Sequence, residues 1–87
     1  PDTQEEDDPE PDVAEVPPSV IQKMIQALPE GYRTVLNLYA FEEKSHKEIA
    51  GLLGISESTS ASQLHRARAL LARQINEYKK KRMDKRI

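Results

Sequence analysis

Cysteine is missing from this sequence altogether, which removes disulfides, thiolate catalysis and cysteine-ligated zinc from consideration. A chain without thiols suits a reducing cytoplasm, and that location is the expectation. Long hydrophobic runs are missing too: nothing approaches the roughly 18–20 apolar residues of a membrane span, and no signal peptide is visible. No segment alternates apolar and polar residues over a useful length, so no strand is predicted. No nucleophile–base pair, no paired carboxylates in an apolar setting and no phosphate-cradling glycine loop can be found, so an enzyme is not expected and no cofactor is implied. His46 and His65 are the only histidines, and neither has a partner at metal-ligand spacing. The chain begins with Pro1 rather than methionine, which suggests a processed product or an excised piece of a longer protein.

Charge is present, but unevenly. The chain of 87 residues has a formal net charge of −2. That figure hides eight acids and no base in the first 18 residues, against thirteen bases and seven acids in residues 19–87, a net +6. Such asymmetry is the pattern of an acidic tail joined to a polyanion binder, although a solvated tail and a solvated face have the same composition. The acidic stretch "PDTQEEDDPEPDVAEVPP" holds five of the six prolines and almost nothing to bury. Residues 1–18 are therefore expected to be a disordered linker, with order beginning near Ser19. One small domain, residues 19–87, is the rest of the organisation.

Four helical stretches are predicted there. In "SVIQKMIQAL" the apolar Ile21, Met24, Ile25 and Leu28 recur at steps of three and four, with Ser19 as the N-cap. "PEGYRTVLNLYAFEE" opens with Pro29 at the first helical position, and Tyr32, Val35, Leu36 and Tyr39 form its stripe. The third stretch starts at a capping box, Ser45-His46-Lys47-Glu48. Ile49, Leu52 and Leu53 are its expected apolar face, and Gly54 is its left-handed stop. Ile55 plugs the turn, and Ser56 caps a fourth helix that begins near Glu57 and meets no breaker. Leu64, Ala67, Leu71, Ile75 and Tyr78 line one side of it, while the terminal "KKKRMDKRI" is expected to fray.

The third and fourth stretches, joined by a tight glycine turn, make a helix-turn-helix, so the predicted fold is all-α, a four-helix DNA/RNA-binding three-helical-bundle type. In that motif the second helix lies in the major groove, with its first residues against base edges. The sequence suits this. Small side chains at the start of the fourth helix, Ser58 and Thr59 among them, let backbone amides approach phosphate at the positive helix end. Ser56 and Thr59 serve equally well as capping residues. Arg66 has the planar fork that reaches a guanine edge or a phosphate. Arg68, two residues on, points to another side of the helix. His65 faces DNA or water, and DNA is preferred here.

The string "LPEGYRTVLNLYAFEEKSHKEIAGLLGISESTSASQLHRARALL", residues 28–71, resembles region 4 of a bacterial extracytoplasmic-function-type sigma factor of the sigma-70 family. Leu28-Pro29-Glu30, Glu48-Ile49-Ala50, Leu53-Gly54-Ile55-Ser56, Thr59 and Leu64-His65-Arg66-Ala67-Arg68 stand where that family has its typical residues. The resemblance implies a promoter-recognition domain that binds the −35 element of double-stranded DNA and docks on the β flap of RNA polymerase. It implies base contacts at Ala61, Ser62, His65 and Arg66. Thr59 and Gln63 fall near phosphate or base edges, Ser58 belongs to the same DNA-facing start, and His46 and Lys47 match backbone contacts.

Three departures stand out. Ala61 replaces a usual lysine or arginine, and Gln63 replaces a frequent arginine, so intrinsic affinity is expected to be low and polymerase-dependent. Ser60 stands where valine or isoleucine is usual, which should trim packing between the last two helices. Two other functions fit the residues: a module bound through the apolar surfaces of the first two helices by polymerase or an anti-sigma factor, and the output domain of another regulator.

Overall fold

The computed structural model of the chain describes residues 13–86, and within them it is all-helical. Helix α1 spans Pro18–Gln26, α2 spans Glu30–Leu36 and runs on as a π-helical segment Asn37–Phe41, α3 spans His46–Leu53, and α4 spans Glu57–Arg86. No strand occurs among the described residues. The predicted linker lies outside the described residues as far as residue 12. Of its remainder, Val16 is buried and Pro17 and Pro18 start α1.

Each helix boundary has a local cause. Pro17, at φ −59° and ψ 142°, is the N-cap of α1 and Pro18 its first residue. Ser19 is therefore not the cap: a proline without N–H costs nothing at a position whose N–H has no helical partner, and it starts the helix earlier. For the same reason Pro29 is the N-cap of α2 rather than its first residue. The Arg33 guanidinium donates at 3.0 Å to the Gln26 carbonyl, which closes the end of α1 on the next helix. The long second helix foreseen from the pattern is not uniform. Past Leu36 it widens, and the Glu42 N–H donates to the Asn37 carbonyl at 3.1 Å, five residues back. π turns of this kind favour functional sites and re-phase the side chains that follow.

The predicted capping box is present. The Glu48 N–H donates to Ser45 Oγ at 3.1 Å, and the Ser45 N–H donates to Glu48 Oε1 at 2.8 Å. That backbone donor, the largest cause, holds the Glu48 carboxyl below its ordinary range, and the Ser45 hydroxyl and Lys44 act in the same direction. Gly54 ends α3 at φ 69°, and both Gly54 and Ile55 donate to the Ala50 carbonyl. This is the paired closure that a left-handed residue makes possible. Ser56 Oγ then accepts from the Thr59 N–H at 3.0 Å, capping α4 as its sequence position predicts.

The core is built on α4. Leu64, Ala67 and Leu71 pack with Ile25 and Leu28 from α1 and its following turn, Val35 and Leu36 from α2, and Ile49 from α3. Ala67 and Ile49 are fully buried, so α4 passes close to its neighbours. Of the apolar stripes of α1 and α2, Ile25, Leu28, Val35 and Leu36 are buried in this core, while Ile21, Met24, Tyr32 and Tyr39 pack against it half-buried. Leu52 and Leu53 depart from expectation in the opposite sense: they are 61% and 39% exposed. An eight-residue helix has about two turns, and α3 presents only the Ile49 side to α4. Helix α4 continues through the basic segment, 30 residues to Arg86, about 45 Å at 1.5 Å per residue. Lysine and arginine are good helix formers and suit the negative end of the dipole.

Candidate nucleic-acid interface

The buried line of α4, Ser60–Leu64–Ala67–Leu71, fixes what the rest of that helix can offer. At about 100° per residue, Ser58, Ser62, His65 and Arg66 fall within about 50° of the direction opposite that line. All four are exposed. Thr59 lies about 70° away from that direction, Ala61 about 90° and Gln63 about 110°. The exposures follow the same order, because Thr59 is open while Ala61 and Gln63 are half-buried on the flanks.

Ser58, Thr59, Ser62, Gln63 and Arg66 line one open groove of about 500 Å³, closed on its far side by Tyr32 of α2. Five sequence-predicted residues are thus brought together. Tyr32 is the addition that sequence reasoning missed, because the helical period assigned it only to the apolar stripe. No local sequence signal sets it apart from the other stripe residues. Within the groove, the Gln63 side chain leans on Gly31, with its Oε1 enclosed and without a hydrogen-bond partner. Ser56 Oγ donates to Thr59 Oγ1 at 2.8 Å and lies 3.2 Å from Ser58 Oγ, so the first turn carries a linked set of hydroxyls.

The two predicted residues on α3 behave differently from each other. Lys47 is exposed. His46 is turned inward: its Nδ1 lies 2.7 Å from Ser60 Oγ and its ring stacks on Tyr39. Burial pushes the imidazole below its ordinary range, Arg68 adds to that, and Glu57 opposes it. Ser60, expected only to loosen the packing, is fully buried and hydrogen-bonded. Arg68 lies with its guanidinium 5.6 Å from the centre of the Tyr39 ring, on the His46 flank and away from Arg66.

Chemically, the exposed face of α4 combines small hydroxyls, an imidazole and a guanidinium at the positive end of a long helix. Such a face suits anionic groups and base edges. No group of His, Cys, Asp or Glu among the described residues could hold a metal ion, and no described helix is long and apolar enough to cross a membrane. A family model described as Sigma-70, region 4, matches residues 19–71. No curated protein and no solved structure gives a significant match.

Proposed function

The chain belongs to the sigma-70 region 4 family, and from that membership we propose that α4 reads the −35 element in the major groove while α3 docks the domain on RNA polymerase. The family as a whole recognises promoters in transcription initiation and is a class of DNA-binding domain, not of enzyme. One observation carries the finer reading. Ser58, Ser62, His65 and Arg66 are the exposed side of α4 near its capped start, which is the part of a recognition helix that meets bases.

In this reading Arg66 makes the strongest contact, a bidentate approach to guanine, and His65 and Ser62 read beside it. The first-turn amides, Ser58, Thr59 and the exposed Lys47 hold the sugar–phosphate chain. Ala61 and Gln63 contribute shape more than charge, and His46 acts from its half-buried seat beside Ser60. The extracytoplasmic-function subtype is part of the proposal, as is an acidic linker ahead of the domain, with Val16, Pro17 and Pro18 counted with the domain that they pack on and start.

The partner surface is assigned to Leu52, Leu53 and Phe41, which are 61%, 39% and 63% exposed. The β flap is the proposed occupant, and an anti-sigma factor would compete for the same residues. The output domain of another regulator gives way to the family match.

The test is transcription. The full chain fused behind a sigma region 2 should direct initiation from promoters that carry one preferred −35 sequence, and Leu52→Glu should abolish it without changing duplex affinity. A fusion indifferent to −35 sequence, yet dependent on Leu52, would leave the interaction module as the function.

A further inference from the structure

Ser60 is the only buried polar side chain among the described residues, and it is fully enclosed. Its hydroxyl and the His46 Nδ1 share a hydrogen bond of 2.7 Å. The same imidazole stacks on Tyr39, with ring centres 4.8 Å apart and planes 19° from parallel. Arg68 then places its guanidinium over that tyrosine at 5.6 Å. Three elements meet here: the π-helical segment through Tyr39, the first residue of α3 through His46, and α4 through Ser60 and Arg68. The two points on α4 are eight residues apart, a little over two turns, or about 12 Å. A helix tied at both cannot turn about its own axis without breaking a contact.

Small rotations matter at this interface. Side-chain tips lie roughly 5–6 Å from a helix axis, so a turn of about 20° moves them about 2 Å. That exceeds the tolerance of a hydrogen bond to a base edge. We propose that His46 and Ser60, seated against Tyr39 and Arg68, are positioning residues that set the rotation of α4 and so decide which of Ser58, Ser62, His65 and Arg66 meet bases. This rests on the DNA-reading function proposed above. It gives His46 a positioning role distinct from the backbone contact that the resemblance implied: its Nδ1 is engaged by Ser60, its ring is stacked on Tyr39, and Arg68 and Glu57 are its charged neighbours.

The experiment uses the full 87-residue chain and four variants: Ser60→Ala, His46→Gln, His46→Asn and the Ser60→Ala/His46→Gln double. Asparagine places an amide atom near the position of Nδ1, whereas glutamine reaches toward Nε2 and misses it. Affinity is measured for a duplex selected by the wild-type chain and for a scrambled duplex of equal length, across salt concentrations. Ser60→Ala and His46→Gln should each lower the ratio of the two affinities roughly three- to tenfold, as expected for one lost buried hydrogen bond. The double variant should lose no more than either single, and His46→Asn should retain most of the ratio. Affinity for the scrambled duplex and the salt slope should stay unchanged in all of them.

Equal losses on both duplexes from His46→Gln, with Ser60→Ala silent, would make His46 a phosphate contact and overturn the proposal. A lowered melting temperature with an unchanged ratio would overturn it as well, reducing the pair to a core contact. In the free protein, Ser60→Ala should shift the His46 titration seen by NMR, and an unmoved titration would show that the pair is not formed. A wild-type chain with no duplex preference defeats the functional proposal itself. Silent variants of a chain that does discriminate defeat only the positioning role.

Discussion

Gly31→Ala tests how α2 and α4 meet beside the groove. Gly31 is the second residue of α2, where a glycine costs the helix about 0.5–1 kcal/mol relative to alanine, with the lower figure suiting the first turn. A methyl built there would meet Gln63 Oε1 at 3.4 Å, Nε2 at 3.6 Å and Cδ at 3.8 Å. These are ordinary van der Waals distances, so nothing must move. Covering the methyl on that side adds a fraction of the ~0.8 kcal/mol of a fully buried CH₂. Because Oε1 has no partner to lose, no new unsatisfied group offsets the gain. The expected outcome is a stabilisation of about 1 kcal/mol, read as a higher urea midpoint at unchanged m and a melting temperature raised by roughly 4–8 °C. Affinity for DNA should change less than about twofold, since Gln63 lies on the flank of α4. Destabilisation by a similar amount would refute the reasoning: it would mean that Oε1 is served by a water which the methyl expels, and that the groove is wet down to Gly31.

Other outcomes follow from the caps, the titratable groups and the recognition face. Ser45→Ala removes one side of the capping box and should cost about 1 kcal/mol in urea unfolding, with α3 losing amide protection before the other helices. Glu48 has a lowered folded pKa, so its stabilisation is present above the unfolded value and lost as pH falls through the folded one. His46 is also lowered, so the unfolded chain binds its proton first. Stability should therefore begin to decline as pH drops below about 6.5, the unfolded value, and decline again in the acidic range of Glu48. Ser45→Ala should blunt the second step only, and Ser60→Ala should alter the first. Arg66→Ala should weaken binding to the preferred duplex by about 1–3 kcal/mol while sparing scrambled DNA, measured by competition titration. A uniform loss with a shallower salt slope would make it a phosphate contact instead.

Features that depend on neighbours in sequence were legible from sequence. The Ser45–Glu48 box, the Gly54 stop and the Ser56 cap each need only three or four residues, and all three formed as read. Prolines shifted the α1 and α2 starts by one or two positions, because the ring fits the cap as well as the first turn. The stripes on α1 and α2 were long enough for periodicity to identify a face, and the Leu64–Ala67–Leu71 line was equally clear. Leu52 and Leu53 misled because periodicity says which residues share a face, not whether another element covers it. The Ser60–His46 bond spans 14 residues, and the groove needs α2 laid beside α4. Neither leaves a trace in local pattern. Tyr32 reads as a stripe residue until α4 is placed next to it. At the site, the reading of Ser58, Ser62, His65 and Arg66 was available from helical geometry once the buried line of α4 was known.

The central claim is that the exposed start of α4 discriminates between DNA sequences. The most direct measurement incubates the full chain with a pool of random duplexes at low salt and sequences the bound fraction. The account predicts one enriched motif, lost in Arg66→Ala and shifted in His46→Gln. A bound fraction with the composition of the input pool would contradict it, and would leave the apolar surface of Leu52, Leu53 and Phe41 as the functional face of the domain.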